Sequence, residues 1–134
     1  MDRVFLDANV LFSAAYRPDS RLLRLWEFDS VHLITSDYAS SEARVNLPAA
    51  SQLERLGQLL ESVEAVSSAG LLSEQESAGL PEKDRPILEA AIAAEATHLL
   101  TGDKTHFGKL YGSRIGGALI LPPASYLNQF KPSA

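Results

Sequence analysis

Val4-Phe5-Leu6-Asp7-Ala8-Asn9 is the stretch on which the fold turns. Three consecutive apolar residues, not alternating with polar ones, run directly into an acid and an amide. Similar strand-sized runs recur at Val31 to Ile34, Val63 to Val66, His98 to Thr101 and Ala118 to Leu121. Near-continuous apolar runs of this length are those of strands covered on both faces, and therefore of a parallel sheet. Helical spacing fills the intervals. Leu22, Leu25 and Trp26 follow an N-capping Ser20, and Tyr38, Ala39, Glu42, Ala43 and Val45 follow Ser36, with Pro48 closing that helix. Leu53, Leu56, Leu59 and Leu60 form an amphipathic stripe, which predicts a helical hairpin in that connection. Ile87, Leu88, Ala91 and Ala94 mark a further helix whose start is set by Asp84-Arg85-Pro86, because proline is tolerated in the first turn only. Ser67 to Lys83, polar and containing glycine, predicts a short helix within a loop or a mobile connection beside the site; Ala124 to Phe130, after Pro122 and Pro123, predicts a terminal helical turn. The alternation predicts one α/β domain over residues 1–134, with three α/β/α layers around a central, mostly parallel sheet of about five strands.

Composition narrows the chemistry. The 134 residues are 46% hydrophobic and 22% charged, which excludes collagen-like and disordered classes. There is no cysteine, so a disulfide framework, a thiolate zinc site and a cysteine nucleophile are all excluded. No run approaches the roughly 18 apolar residues of a membrane span, and Asp2, Arg3 and Asp7 stand where a signal peptide needs its apolar region. The expectation is a cytoplasmic protein without a membrane partner. With 12 Lys and Arg against 17 Asp and Glu, the net charge of −5 argues at first against nucleic acid.

The placement of four acids changes that reading. Ligands of an open parallel sheet bind at the carboxyl ends of its strands. Asp7 follows the first strand and Asp103 follows the fourth, so both emerge on that edge. Glu42, between Tyr38 and Val45 at helical spacing, is expected on the inward stripe of its helix, and Asp84 at the head of the buried face of the next. Four converging carboxylates repel one another and need a cation to be ionised together. Hard oxygen ligands favour Mg2+ or Mn2+, ions suited to phosphodiester hydrolysis. Read singly, Asp7, Asp84 and Asp103 are also good N-caps and Glu42 a helix residue paired with Arg44; capping does not exclude ligation. Asn9 and Thr101 are read as supporting residues that orient a carboxylate. His32 and His98 open strands at the opposite edge and are read as structural. Lys104, His106 and Arg44 are read as substrate contacts, alongside Arg17, Arg21, Arg24, Arg85 and Lys109 as backbone guides.

These residues, in this order along nearly the whole chain, resemble a PIN domain, the nuclease fold of many VapC-type toxin ribonucleases. Val4 to Ser13 is similar to the family's opening motif, Ser41-Glu42 to its second acidic position, Lys83-Asp84 to its third and Thr101-Gly102-Asp103-Lys104 to its fourth. The resemblance implies a divalent-metal-dependent endoribonuclease that leaves a 5′ phosphate. It implies also a homodimer and, for toxin members, a small antitoxin partner laid across the site. One departure is that Thr105, His106 and Phe107 follow Lys104 where many members carry a further acid, which leaves one or two metal ions open. An Asp-dependent phosphatase is disfavoured by Asn9 at its second motif position, and a receiver domain by Val66-Ser67 where its acid belongs. The alternative of a different class is a non-catalytic PIN-like module that binds RNA or protein.

Overall fold

The first strand, β1 (Asp2–Leu6), owes its position to its sequence: Val4, Phe5 and Leu6 are wholly buried. In the computed structural model, which describes residues 1–67 and 79–130, β1 pairs in parallel with a strand on each side. Its neighbours are β2 (Val31–Ser36) and β4 (His98–Leu100); β3 (Glu64–Val66) extends the sheet beyond β2, and β6 (Ala118–Leu121) beyond β4. Helices flank the sheet, as the apolar runs predict. At its far edge is a strand the sequence does not announce, β5 (Arg114–Ile115), antiparallel to β6. Two residues are too few to leave an apolar signature; among the described residues the sheet has six strands where about five were expected, in the order β3-β2-β1-β4-β6-β5.

That order places the reversal of chain direction between β1 and β4. The chain winds outward from β1 to β3 on one side, then returns to start again at β4 on the other. Crevices form at such a reversal, outside the carboxyl ends of the strands.

The helix α1 (Ala8–Tyr16) leaves β1 through Asp7 and buries Val10, Leu11, Ala14 and Ala15. It packs on α2 (Asp37–Asn46) and α3 (Ala50–Leu60). The carbonyls at its C-terminal end, which lack helical partners, are met by α3: Arg55 Nη1 donates to Ala15 O at 2.5 Å and Gln52 Nε2 to Tyr16 O at 3.2 Å. Residues 21 to 27 form a 3-10 helix in place of the α-helix their spacing predicts. Ser20 caps it by accepting from Leu22 N, and Trp26 Nε1 donates to Leu59 O at 3.0 Å, anchoring the segment to α3.

A 3-10 turn (Glu82–Asp84) precedes α4 (Arg85–Ala93), and a four-residue helix, α5 (Lys104–Phe107), follows β4. After β6 come α6 (Pro123–Leu127) and a 3-10 turn at Asn128–Phe130, in the segment expected to be helical. Of the expected polar connection from Ser67 to Lys83, residues 68–78 lie outside the described residues. Among the described residues no helix is long and apolar enough to cross a membrane.

The β5–β6 hairpin turns at Gly116 and Gly117, whose φ values are 58° and 90°. A Cβ at Gly116 would lie 2.6 Å from Ile92 Cγ1 on α4, a β-branched side chain with little freedom to retreat. Gly116→Ala is expected to destabilise the protein by about 1–3 kcal/mol, measured by urea unfolding, from overpacking and the left-handed backbone together.

Candidate active site

Asp7 is the first residue beyond β1, and its N–H continues the sheet ladder by donating to Leu100 O at 3.1 Å. The parallel register sets Leu6 beside Leu100, so Asp7 comes to lie beside Thr101. Asp7 is 5% exposed, and the register brings Thr101 to its carboxylate while Ala8 and Asn9 reach it locally. Oδ1 accepts from Ala8 N at 2.6 Å, capping α1; Oδ2 accepts from Thr101 Oγ1 at 2.7 Å and from Asn9 Nδ2 at 3.3 Å. Asn9 Oδ1 in turn accepts from Gly102 N at 2.7 Å, and Thr101 Oγ1 accepts from Asp103 N at 3.1 Å. Tyr111 steadies the same loop by donating to Thr101 O at 2.7 Å. Burial raises the Asp7 pKa to about 6, against the hydrogen bonds from Thr101 and Ala8; the charges of Glu42 and Asp84 push in the same direction as burial.

Asp7, Glu42, Asp84 and Asp103 line one cleft of about 440 Å³, together with Asn9, Phe12, Asn46 and Lys83. Two of the acids sit otherwise than their local sequence predicts. Glu42 is exposed at the rim, not on the inward stripe. The buried face of α2 runs through Ala39 and Ala43 to Leu47, because small residues let α1 approach closely, while Tyr38 and Val45 are 38% and 83% exposed. Asp84 stands at the N-cap position of α4 but makes no capping bond. Pro86 removes one of the N–H groups an N-cap side chain could take, and the carboxylate turns into the cleft instead. Tyr38 Oη donates to Lys83 O at 2.8 Å, tying α2 to the backbone that carries Asp84.

Asp103 does cap α5, accepting from His106 N at 3.2 Å through Oδ1. Its Oδ2 lies 3.0 Å from His106 Nδ1, and the same nitrogen lies 3.0 Å from Asp84 Oδ2. A proton on Nδ1 bonds Asp103, and Asp84 Oδ2 is then buried without a hydrogen bond, facing the ring nitrogen as an ion pair when the imidazole is protonated. Burial raises the Asp84 pKa, opposed by His106 and reinforced by Asp103. An orphaned carboxylate oxygen beside three further acids is a donor set that fits a divalent cation.

The remaining residues divide. Lys104 and Arg44 are exposed and do not line the cleft, whereas Lys83, immediately before Asp84, does; its place next to the third acid was the signal for it. His32 and His98 lie at the amino ends of their strands. His32 Nε2 is 2.6 Å from Glu64 Oε1, and His98 stacks edge-on to Tyr126, far from these contacts in the sheet.

Three comparisons bear on this geometry. The family model described as PIN domain matches residues 3–105. Among solved structures, a chain of the crystal structure of VapBC2 from Rickettsia felis bound to a DNA fragment from their promoter is similar in fold, with a TM-score of 0.65 at 20% identity, covering 90% of this chain and 98% of that one. No curated protein matches the chain.

The buried acid has a consequence for stability. The folded pKa of Asp7 is above its ordinary 3.8, so the folded state binds the proton more tightly than the unfolded chain does. The resulting penalty is full above about pH 6, shrinks as pH falls and vanishes below 3.8. Asp7→Asn removes the charge and keeps the shape. Its amide NH2 must face one of the donors the carboxylate accepts from, a cost independent of pH; the stability of Asp7→Asn relative to wild type is therefore expected to rise by about 1–3 kcal/mol from pH 4 to pH 7.5 in metal-free buffer, which calorimetry across that range checks.

Proposed function

The chain belongs to the PIN domain family, and on that premise we propose that it is a divalent-metal-dependent endoribonuclease, hydrolysing RNA phosphodiester bonds as the toxin of a type II toxin–antitoxin pair. The observation that carries the reading is the cleft itself: four carboxylates around one space, one of them buried and one presenting an oxygen without a donor. A purely structural role would not collect four acids, with one histidine between two of them, at the ligand-binding edge of a parallel sheet.

In this reading Asp7, Glu42, Asp84 and Asp103 hold Mg2+ or Mn2+. The bound ion supplies charge neutralisation, polarisation of a phosphate oxygen and activation of water. The chain's own residues supply the rest. Thr101 and Asn9 fix the orientation of the Asp7 carboxylate through Oδ2. Lys83, on the cleft wall, offers a cation to the incoming backbone of an otherwise acidic molecule. Glu42, exposed on the lining of the cleft, supplies in this reading a carboxylate that can accept a proton from the attacking water. Lys104 and Arg44, exposed and outside the cleft lining, are substrate contacts only for RNA that extends beyond the cleft. The product carries a 5′ phosphate, as the family resemblance implies.

The similar VapBC2 structure, bound to a DNA fragment from its promoter, supports a small antitoxin protein as partner, which the family resemblance lays across this cleft. Residues 1–134 form one nuclease domain, acting as a homodimer in the cytoplasm.

Purified protein is expected to cleave single-stranded RNA with Mg2+ or Mn2+ and to stop on addition of EDTA. Asp7→Asn is expected to lower the rate by about 100-fold or more while the protein stays folded. Unchanged cleavage by that variant would sink the metal-site reading, and a wild type inert with either ion would leave a binding module in its place.

A further inference from the structure

We infer that His106 is a nitrogen ligand of the divalent ion, and that it shifts the site's preference from Mg2+ toward Mn2+. The inference rests on the proposed metal site and goes beyond an all-oxygen donor set. Three observations support it. First, His106 Nδ1 is equidistant, at 3.0 Å, from Asp84 Oδ2 and Asp103 Oδ2. Adjacent ligand atoms around an octahedral ion with bonds of about 2.1 Å are about 3.0 Å apart, so these separations are those of neighbouring ligands. Second, the three atoms lie within 4.8 Å of one another, a grouping that small side-chain shifts bring within the span of one ion. Third, hydrogen bonding leaves the cluster incomplete: a proton on Nδ1 serves Asp103 and leaves Asp84 Oδ2 buried without a hydrogen bond, whereas the tautomer with its proton on Nε2 turns an Nδ1 lone pair to both carboxylates, as a shared ion requires. An ion among the three satisfies both carboxylates and the ring.

The imidazole is also held in place for this task. Asp103 caps the helix on which His106 sits, accepting from the His106 backbone N–H at 3.2 Å, so the same acid fixes the backbone from which the ring projects. Imidazole nitrogen is a softer donor than carboxylate. It adds affinity for Mn2+ and later transition metals, and little for Mg2+, which favours oxygen.

The test is metal binding, read without turnover. Wild-type protein loaded with Mn2+ is examined by pulsed EPR for 14N coupling, and Mn2+ and Mg2+ affinities are measured by calorimetry for wild type and His106→Gln. The expected result is 14N coupling in wild type that is lost in the variant, with Mn2+ affinity falling about tenfold or more and Mg2+ affinity changing less than about threefold. The wild-type spectrum stands on its own should the variant fold poorly. Bound Mn2+ without 14N coupling overturns the role of His106 and leaves the carboxylate site intact. Failure of wild type to bind either ion overturns both.

Discussion

One backbone contact organises the molecule: Asp7 N–H donating to Leu100 O. It extends the β1–β4 ladder by one step past the last strand residue and commits Asp7 and Thr101 to adjacent positions at the carboxyl edge. From there the network is determined locally. Thr101 binds the Asp7 carboxylate, Asn9 joins Asp7 to Gly102, and Thr101 receives the N–H of Asp103. The parallel pairing is itself a product of burial, since both strands are too apolar to leave either face in water. A hydrophobic requirement in the sheet thus becomes a positional requirement on charged groups.

The charges are held against their own preference. Asp7 is buried enough to retain its proton to about pH 6, and the Asp84 carboxyl is likewise raised. Such a constellation is strained as an empty structure and relieved by a cation. The net charge of −5 then has a different meaning from the one composition suggests. Four of the 17 acids are concentrated in one cleft, where the proposed divalent ion would offset them, and the cleft carries a lysine of its own. An acidic protein can therefore act on a polyanion if its cations, protein-borne and metal, are local to the site.

Local sequence was a good guide where one physical term dominates and a poorer one where two compete. The apolar runs at Val4, Leu33, Leu99 and Ile120 become strands because burial on both faces leaves them no other state. The caps at Ser20 and Ser36 were readable for the same reason, since an unpaired helical N–H needs a nearby oxygen. Glu42 was misread because α2 offers two stripes, a larger one through Tyr38 and Val45 and a smaller one through Ala39 and Ala43. Close approach of α1 selects the smaller. Arg21–Glu27 tightened into a 3-10 helix, and Arg114–Ile115 joined the sheet on the strength of a two-glycine turn too short to carry a periodicity.

The sequence by itself determined that this chain is an α/β protein with acids at strand ends and helix starts, because apolar periodicity and capping chemistry act over a few residues at a time. Only the tertiary structure decided which acid is buried, which lies at the rim, and that His106 stands between Asp84 and Asp103. Those outcomes depend on strand register, on the close packing of α1 against α2 and on the approach of the Asp84 turn to α5. Each joins residues tens of positions apart, and no local preference of either partner encodes the distance between them.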